Sequence, residues 1–198
     1  MFTDTQILKR LIKSAWKGSG LHVEHTESGW LAMSGFWWRL EVDYQQLNNK
    51  IKAQLIELIG EIPGEGEGYL YFKNQDPQSE IAGTTYMNLM EIFTRCKKTY
   101  EISNVILKTS QDNVAVLEST QDKLLIPEWA ADLTQGEVDL DGESLPGPAK
   151  SDEYQSYVIW ANNKMALGIF KRGTQYAGER DFLDAVSDCS LLWDFIQE

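Results

Sequence analysis

His22 and His25 are the only imidazoles in the chain. Any histidine chemistry, as metal ligand, general base or triad member, has to pass through them. Both lie in Leu21–His25, a run that reads as a strand. Residues three apart on a strand point to opposite faces, so the pair does not chelate one ion. His22 and Glu24 share a face, but two ligands do not close a zinc site. No G-x-S-x-G elbow surrounds a serine. The carboxylates are many, and spacing singles out no pair for acid–base work. No catalytic residue, cofactor or metal is therefore expected.

Two loops imitate ligand sites. Gly64-Glu65-Gly66-Glu67-Gly68 has the glycine content of a phosphate loop. Its spacing is neither G-x-x-x-x-G-K-[ST] nor a G-x-G-x-x-G set between strand and helix. Two glutamates also stand where phosphate would sit, so it reads as a turn into a strand at Tyr69–Lys73. Asp139-Leu140-Asp141-Gly142 resembles the middle of an EF-hand loop. With Glu137 as first ligand, the twelfth position is Pro148, where a bidentate glutamate is needed. Residues 134–153 read instead as an acidic loop, with Glu137, Asp139, Asp141 and Glu143 as a candidate partner-binding set.

Lys9, Arg10, Lys13 and Lys17 form the most basic segment of an acidic chain. They lie on Gln6–Lys17, where Ile7, Leu8, Leu11, Ile12, Ala15 and Trp16 make an apolar stripe at helical spacing. One reading is a solvated face whose cations suit the negative end of the helix dipole. The other is a surface for phosphate or for an acidic partner.

The elements that must position these residues follow from periodicity. The chain has 198 residues, 42% hydrophobic and 24% charged, an ordinary globular composition. A single α+β domain is expected, with antiparallel sheets packed against helices. The net charge of -12 argues against a generic nucleic-acid coat but allows a local basic face. No apolar run approaches a membrane span. The N-terminus reads as an amphipathic helix and not as a leader. Cys96 and Cys189 are too few for a disulfide framework and are expected as buried free thiols, which suggests a cytoplasmic protein.

Strands are expected at Trp30–Ser34 and Phe36–Val42, then a helix over Tyr44–Ile59 capped by Asp43. Trp30, Trp37 and Trp38 are read as core and edge packing. A helix over Thr85–Lys97 precedes strands at Tyr100–Thr109 and Val114–Ser119. Leu124-Leu125-Ile126 leads into a short helix, Pro127–Leu133, with Pro127 in its first turn. Tyr154–Phe170 reads as two strands turning at Asn162-Asn163-Lys164, apolar on both faces and so covered twice. Gly168 within it marks a bulge or a close approach. A terminal helix is expected over residues 179–196.

This order resembles the DNA sliding clamp (processivity) fold. Thr85–Lys97, Tyr100–Thr109 with Val114–Ser119, Pro127–Leu133 and Tyr154–Phe170 look like one repeat, helix, two strands, helix and closing pair. Gln6–Lys73 looks like a degenerate copy, giving pseudo-repeats 1–84 and 85–173. In that family the helices face DNA and carry positive charge; Lys9, Arg10, Lys13, Lys17, Lys50 and Lys52 fall on the corresponding helices. The resemblance implies a non-enzymatic, clamp-like binding protein of a phage or mobile element, associated with DNA machinery. The alternative is an acidic immunity or inhibitor protein that masks a basic toxin or nuclease. Its motive is the -12 charge and the acidic segments 137–153 and 179–198. The oligomeric state is open in both readings.

Overall fold

The computed structural model describes residues 3–79, 87–108, 113–120, 122–134, 145–152 and 156–171. The fold is α+β and dominated by antiparallel sheet. The first part runs α1 (Thr5–Lys17), β1 (Leu21–His25), β2 (Trp30–Ser34), β3 (Trp38–Asp43), α2 (Asn49–Ile59), β4 (Glu67–Tyr71) and β5 (Gln78–Ser79). The second runs α3 (Leu89–Thr94), β6 (Lys98–Thr99), β7 (Glu101–Lys108), β8 (Asn113–Glu118) and β9 (Lys123–Pro127). It closes with α4 (Glu128–Thr134), β10 (Ala149–Lys150), β11 (Tyr157–Ala161) and β12 (Met165–Phe170).

Nine strands form one sheet in the order β5-β4-β1-β2-β3-β12-β11-β10-β6, and β7-β8-β9 form a second. The β11–β12 hairpin sits where the early and late parts of the chain meet. β12 pairs with β3 from Met165↔Val42 to Ile169↔Trp38. The turn is held by Asn162, whose Oδ1 accepts from the amides of Lys164 and Met165, each at 2.9 Å. Asn thus supplies the turn with an acceptor as well as a tolerant backbone.

Both faces of the hairpin are covered. Val158, Trp160, Leu167 and Ile169 enter the main core, which α1, α2, α4 and the second sheet complete. Ile159, Ala161 and Ala166 meet Leu89 and Ile92 of α3 on the other face. Gly168 is a close approach without a bulge, since the β11–β12 register runs unbroken. A Cβ there would lie 3.0 Å from Leu89 Cδ2 and 3.2 Å from Tyr157 Cδ1. Gly168→Ala should therefore push α3 outward and cost about 1–3 kcal/mol, read as a lower midpoint in chemical denaturation.

Capping and docking correct several sequence-based boundaries. α1 matches its periodicity: Asp4 accepts from the amides of Gln6 and Ile7. α2 begins at Asn49 and not at Tyr44, because Asn48 is the cap and Asp43 turns the chain locally by accepting from Gln45. α3 is shorter than Thr85–Lys97; Asn88 caps it and the helix stops at Thr94, while Thr85 lies outside the described residues. Leu124-Leu125-Ile126 belongs to a strand that the sequence reading passed over. Pro127 ends that strand, on an edge where its missing N–H is harmless, and does not open α4. The third strand starts at Trp38, so Phe36 and Trp37 project from the preceding turn and are 67% and 46% exposed. Core packing holds for Trp38 and fails for Trp37. Cys96 is half-buried, short of the full burial expected. Cys189 and the helix expected at 179–196 lie outside the described residues.

Candidate functional site

α1 buries Ile7, Leu8, Ile12 and Ala15 against the core. At 100° per residue that turns the opposite face, with Lys9, Arg10, Lys13 and Lys17, away from the sheet. Arg10, Lys13 and Lys17 are exposed and Lys9 is half-buried. α2 lies alongside, anchored by buried Ile51 and Leu55. Gln54 Nε2 donates to the Lys9 carbonyl oxygen at 2.8 Å and ties the two helices together.

Between them runs a groove of about 220 Å³. Gln6, Lys9, Arg10 and Lys13 form the α1 wall; Gln54, Glu57 and Leu58 form the α2 wall. Among the described residues, none of the three groove cations has an ion-pair partner within 4.0 Å. The structure thus brings Lys9, Arg10 and Lys13 together. Lys17 continues their stripe one turn beyond the groove. Lys50 is exposed outside it, and Lys52 Nζ sits 4.1 Å over the Tyr44 ring. The α2 wall was missed from sequence; Gln54, Glu57 and Leu58 recur at the i, i+3, i+4 spacing of one helix face.

The far face of the main sheet carries a second polar group. The registers His22↔Ser34↔Arg39 and Glu24↔Ala32↔Glu41 place His22, Glu24, Arg39 and Glu41 on one side. All four are buried. Arg39 Nε donates to Glu41 Oε1 at 2.8 Å, and the Leu89 amide donates to Glu41 Oε2 at 2.9 Å. Glu41 therefore anchors the start of α3 to β3. Burial pushes its carboxyl above the ordinary glutamate value; Arg39 and the Leu89 amide pull it down, and Glu24 adds repulsion. His25 faces the other way, with Nδ1 3.1 Å from the Pro63 carbonyl oxygen and its ring 4.7 Å from that of Tyr44. Among the described residues, no cluster of three His, Cys, Asp or Glu could hold a metal ion. Within the group, the buried Arg39–Glu41 ion pair holds the first amide of α3. Its signal in the sequence was the alternation Arg39-Leu40-Glu41 inside an apolar strand.

A third network lies at the β6 edge. Lys98 and Lys150 stand opposite one another across β6 and β10, a pairing that like charge disfavours. Asp122 Oδ2 relieves it, 3.8 Å from one ammonium and 3.9 Å from the other. Burial would raise the Asp122 carboxyl, but the hydrogen bond from Ser119 Oγ at 2.8 Å, the nearby Tyr100 hydroxyl and both ammonium groups hold it below the usual value.

The candidate acidic residues Glu137, Asp139, Asp141 and Glu143 lie outside the described residues. Among the described residues, no helix is long and apolar enough to cross a membrane. Comparison with family models, with curated proteins and with solved structures found no match to this chain.

Proposed function

We propose that the chain is a non-enzymatic binding protein, clamp-like in its order of helices and strands, whose α1–α2 groove takes the phosphate backbone of DNA. One observation carries this reading. Lys9, Arg10 and Lys13 converge on one groove wall with no carboxylate within ion-pair distance among the described residues. In a chain of net charge -12, a cation face that has no ion-pair partner among the described residues offers its charge to an outside anion. The global charge does not prevent this. At physiological salt the screening length is about 8 Å, so a phosphate in the groove responds to the cations it touches more than to distant carboxylates.

Binding of this kind releases counterions and weakens steeply with salt, by about 0.9 units of log K per unit of log salt for each phosphate neutralised. The test is a titration of labelled DNA across ionic strength with the wild type and with Lys9→Glu/Arg10→Glu/Lys13→Glu. The wild type should bind at low salt with a slope of about -3, and the triple variant should not bind detectably. No binding by the wild type at low salt, or equal binding by the triple variant, would overturn the reading.

A further inference from the structure

The groove is asymmetric, and its asymmetry implies a direction for the bound backbone. We infer that the phosphates of a bound nucleic acid run along the axis of α1 alone, from Lys9 to Lys17, and that Glu57 on α2 bounds this track. The inference rests on the phosphate-binding reading of the groove and adds to it the footprint and the residue that limits it.

Three observations support it. First, Lys9, Lys13 and Lys17 recur every four residues on the solvent face of α1. At 1.5 Å per residue they span about 12 Å, enough to meet a short run of successive phosphates of one strand. Second, the facing wall offers no matching row. It presents Gln54, Glu57 and Leu58, and Glu57 is exposed. A phosphate moving toward α2 would meet a carboxylate. Third, the cations of α2 are placed elsewhere: Lys50 does not line the groove, and Lys52 is engaged with the Tyr44 ring. A backbone crossing from helix to helix would meet charge of the wrong sign; one following α1 meets cations at every turn.

The three exposed positions Lys17, Lys50 and Glu57 separate the two geometries, since each can be altered without touching the core. Short fluorescently labelled oligonucleotides, single-stranded and duplex, would be titrated over a salt series against the full chain. Lys17→Glu should weaken binding and flatten the salt slope by about 0.7–0.9, the loss of one phosphate contact. Lys50→Glu should leave affinity and slope at wild-type values. Glu57→Gln should tighten binding by about twofold to fivefold, the scale of one exposed charge contact. The preferred oligonucleotide identifies whether one strand or a duplex occupies the track.

A Lys50→Glu loss as large as that of Lys17→Glu would overturn the inference. So would a Glu57→Gln variant that binds no better than wild type. If the groove triple variant loses binding while these three single variants break the expected pattern, the track fails and the groove's function stands. If the wild type binds neither oligonucleotide, both fall together.

Discussion

Glu41→Ala is expected to lower folding stability by about 3–5 kcal/mol, the range for breaking a buried ion pair by removing one partner. The residue is 2% exposed, and its carboxylate holds two donors at once, Arg39 Nε and the Leu89 amide. Alanine would leave the buried guanidinium without this carboxylate. It would also leave the first amide of α3 without its acceptor, in a six-residue helix too short to stand on its own propensity. Loss should therefore be seen in two places: a lower denaturation midpoint, and faster amide exchange in α3 than in β1–β3. Glu41→Ala combined with Arg39→Met should recover a large part of the loss, because it also removes the buried charge that loses Glu41. A single variant as stable as wild type would show that the pair contributes nothing.

The same residue gives a pH dependence with a definite sign. Burial raises the Glu41 carboxyl above its ordinary value, so the folded chain binds this proton more tightly than the unfolded chain. Its contribution to stability is then fully present below the ordinary carboxylate range and is lost as pH rises through the raised folded value. Asp122 works in the opposite sense. Its carboxyl is lowered, so its contribution is present above the ordinary aspartate value and lost as pH falls through the folded one. The difference in stability between wild type and Glu41→Gln isolates the first group. Wild type should lose ground to the variant as pH rises across that window; a constant difference would contradict the assignment.

Trp160→Ala should cost about 3–5 kcal/mol, the transfer and cavity terms of a large buried aromatic together. Trp160 is 1% exposed at the centre of the main core. It stands on β11, and the neighbouring β12 carries the hydrogen bonds to β3 that join the early strands to the late ones. A cavity here loosens the seam between the two parts of the sheet, so urea unfolding should stay cooperative but move to a lower midpoint. Trp37→Ala serves as the control: at 46% exposure, its loss should be far smaller. Equal losses would mean that the seam is not where the core energy lies.

Local signals carried much of the fold. The apolar stripe on Gln6–Lys17 was enough for α1, and the short runs Leu21–His25 and Trp30–Ser34 were enough for β1 and β2, whose ends match the reading. Tyr154–Phe170 was legible as a twice-covered strand pair because both its faces are apolar, and α3 on one side and the main core on the other are the covers. The misses share one cause. Where two caps compete, as Asp43 and Asn48 do before α2, the sequence does not rank them; the turn that Asp43 makes with Gln45 decides. Where a strand is a lysine, three apolar residues and a proline, as in β9, only its partner β8 reveals it.

The candidate site divides the same way. Composition and helical spacing by themselves determined that Lys9, Arg10, Lys13 and Lys17 share an exposed face, because the apolar stripe on α1 leaves them nowhere else to go. Tertiary structure alone decided that three of them wall a groove, that Glu57 stands across from them, and that Lys52 is engaged with Tyr44. The reason is physical. A helix fixes the angle of its own side chains over a few residues, whereas what faces them depends on how α1 and α2 settle on a sheet whose strands come from both ends of the chain.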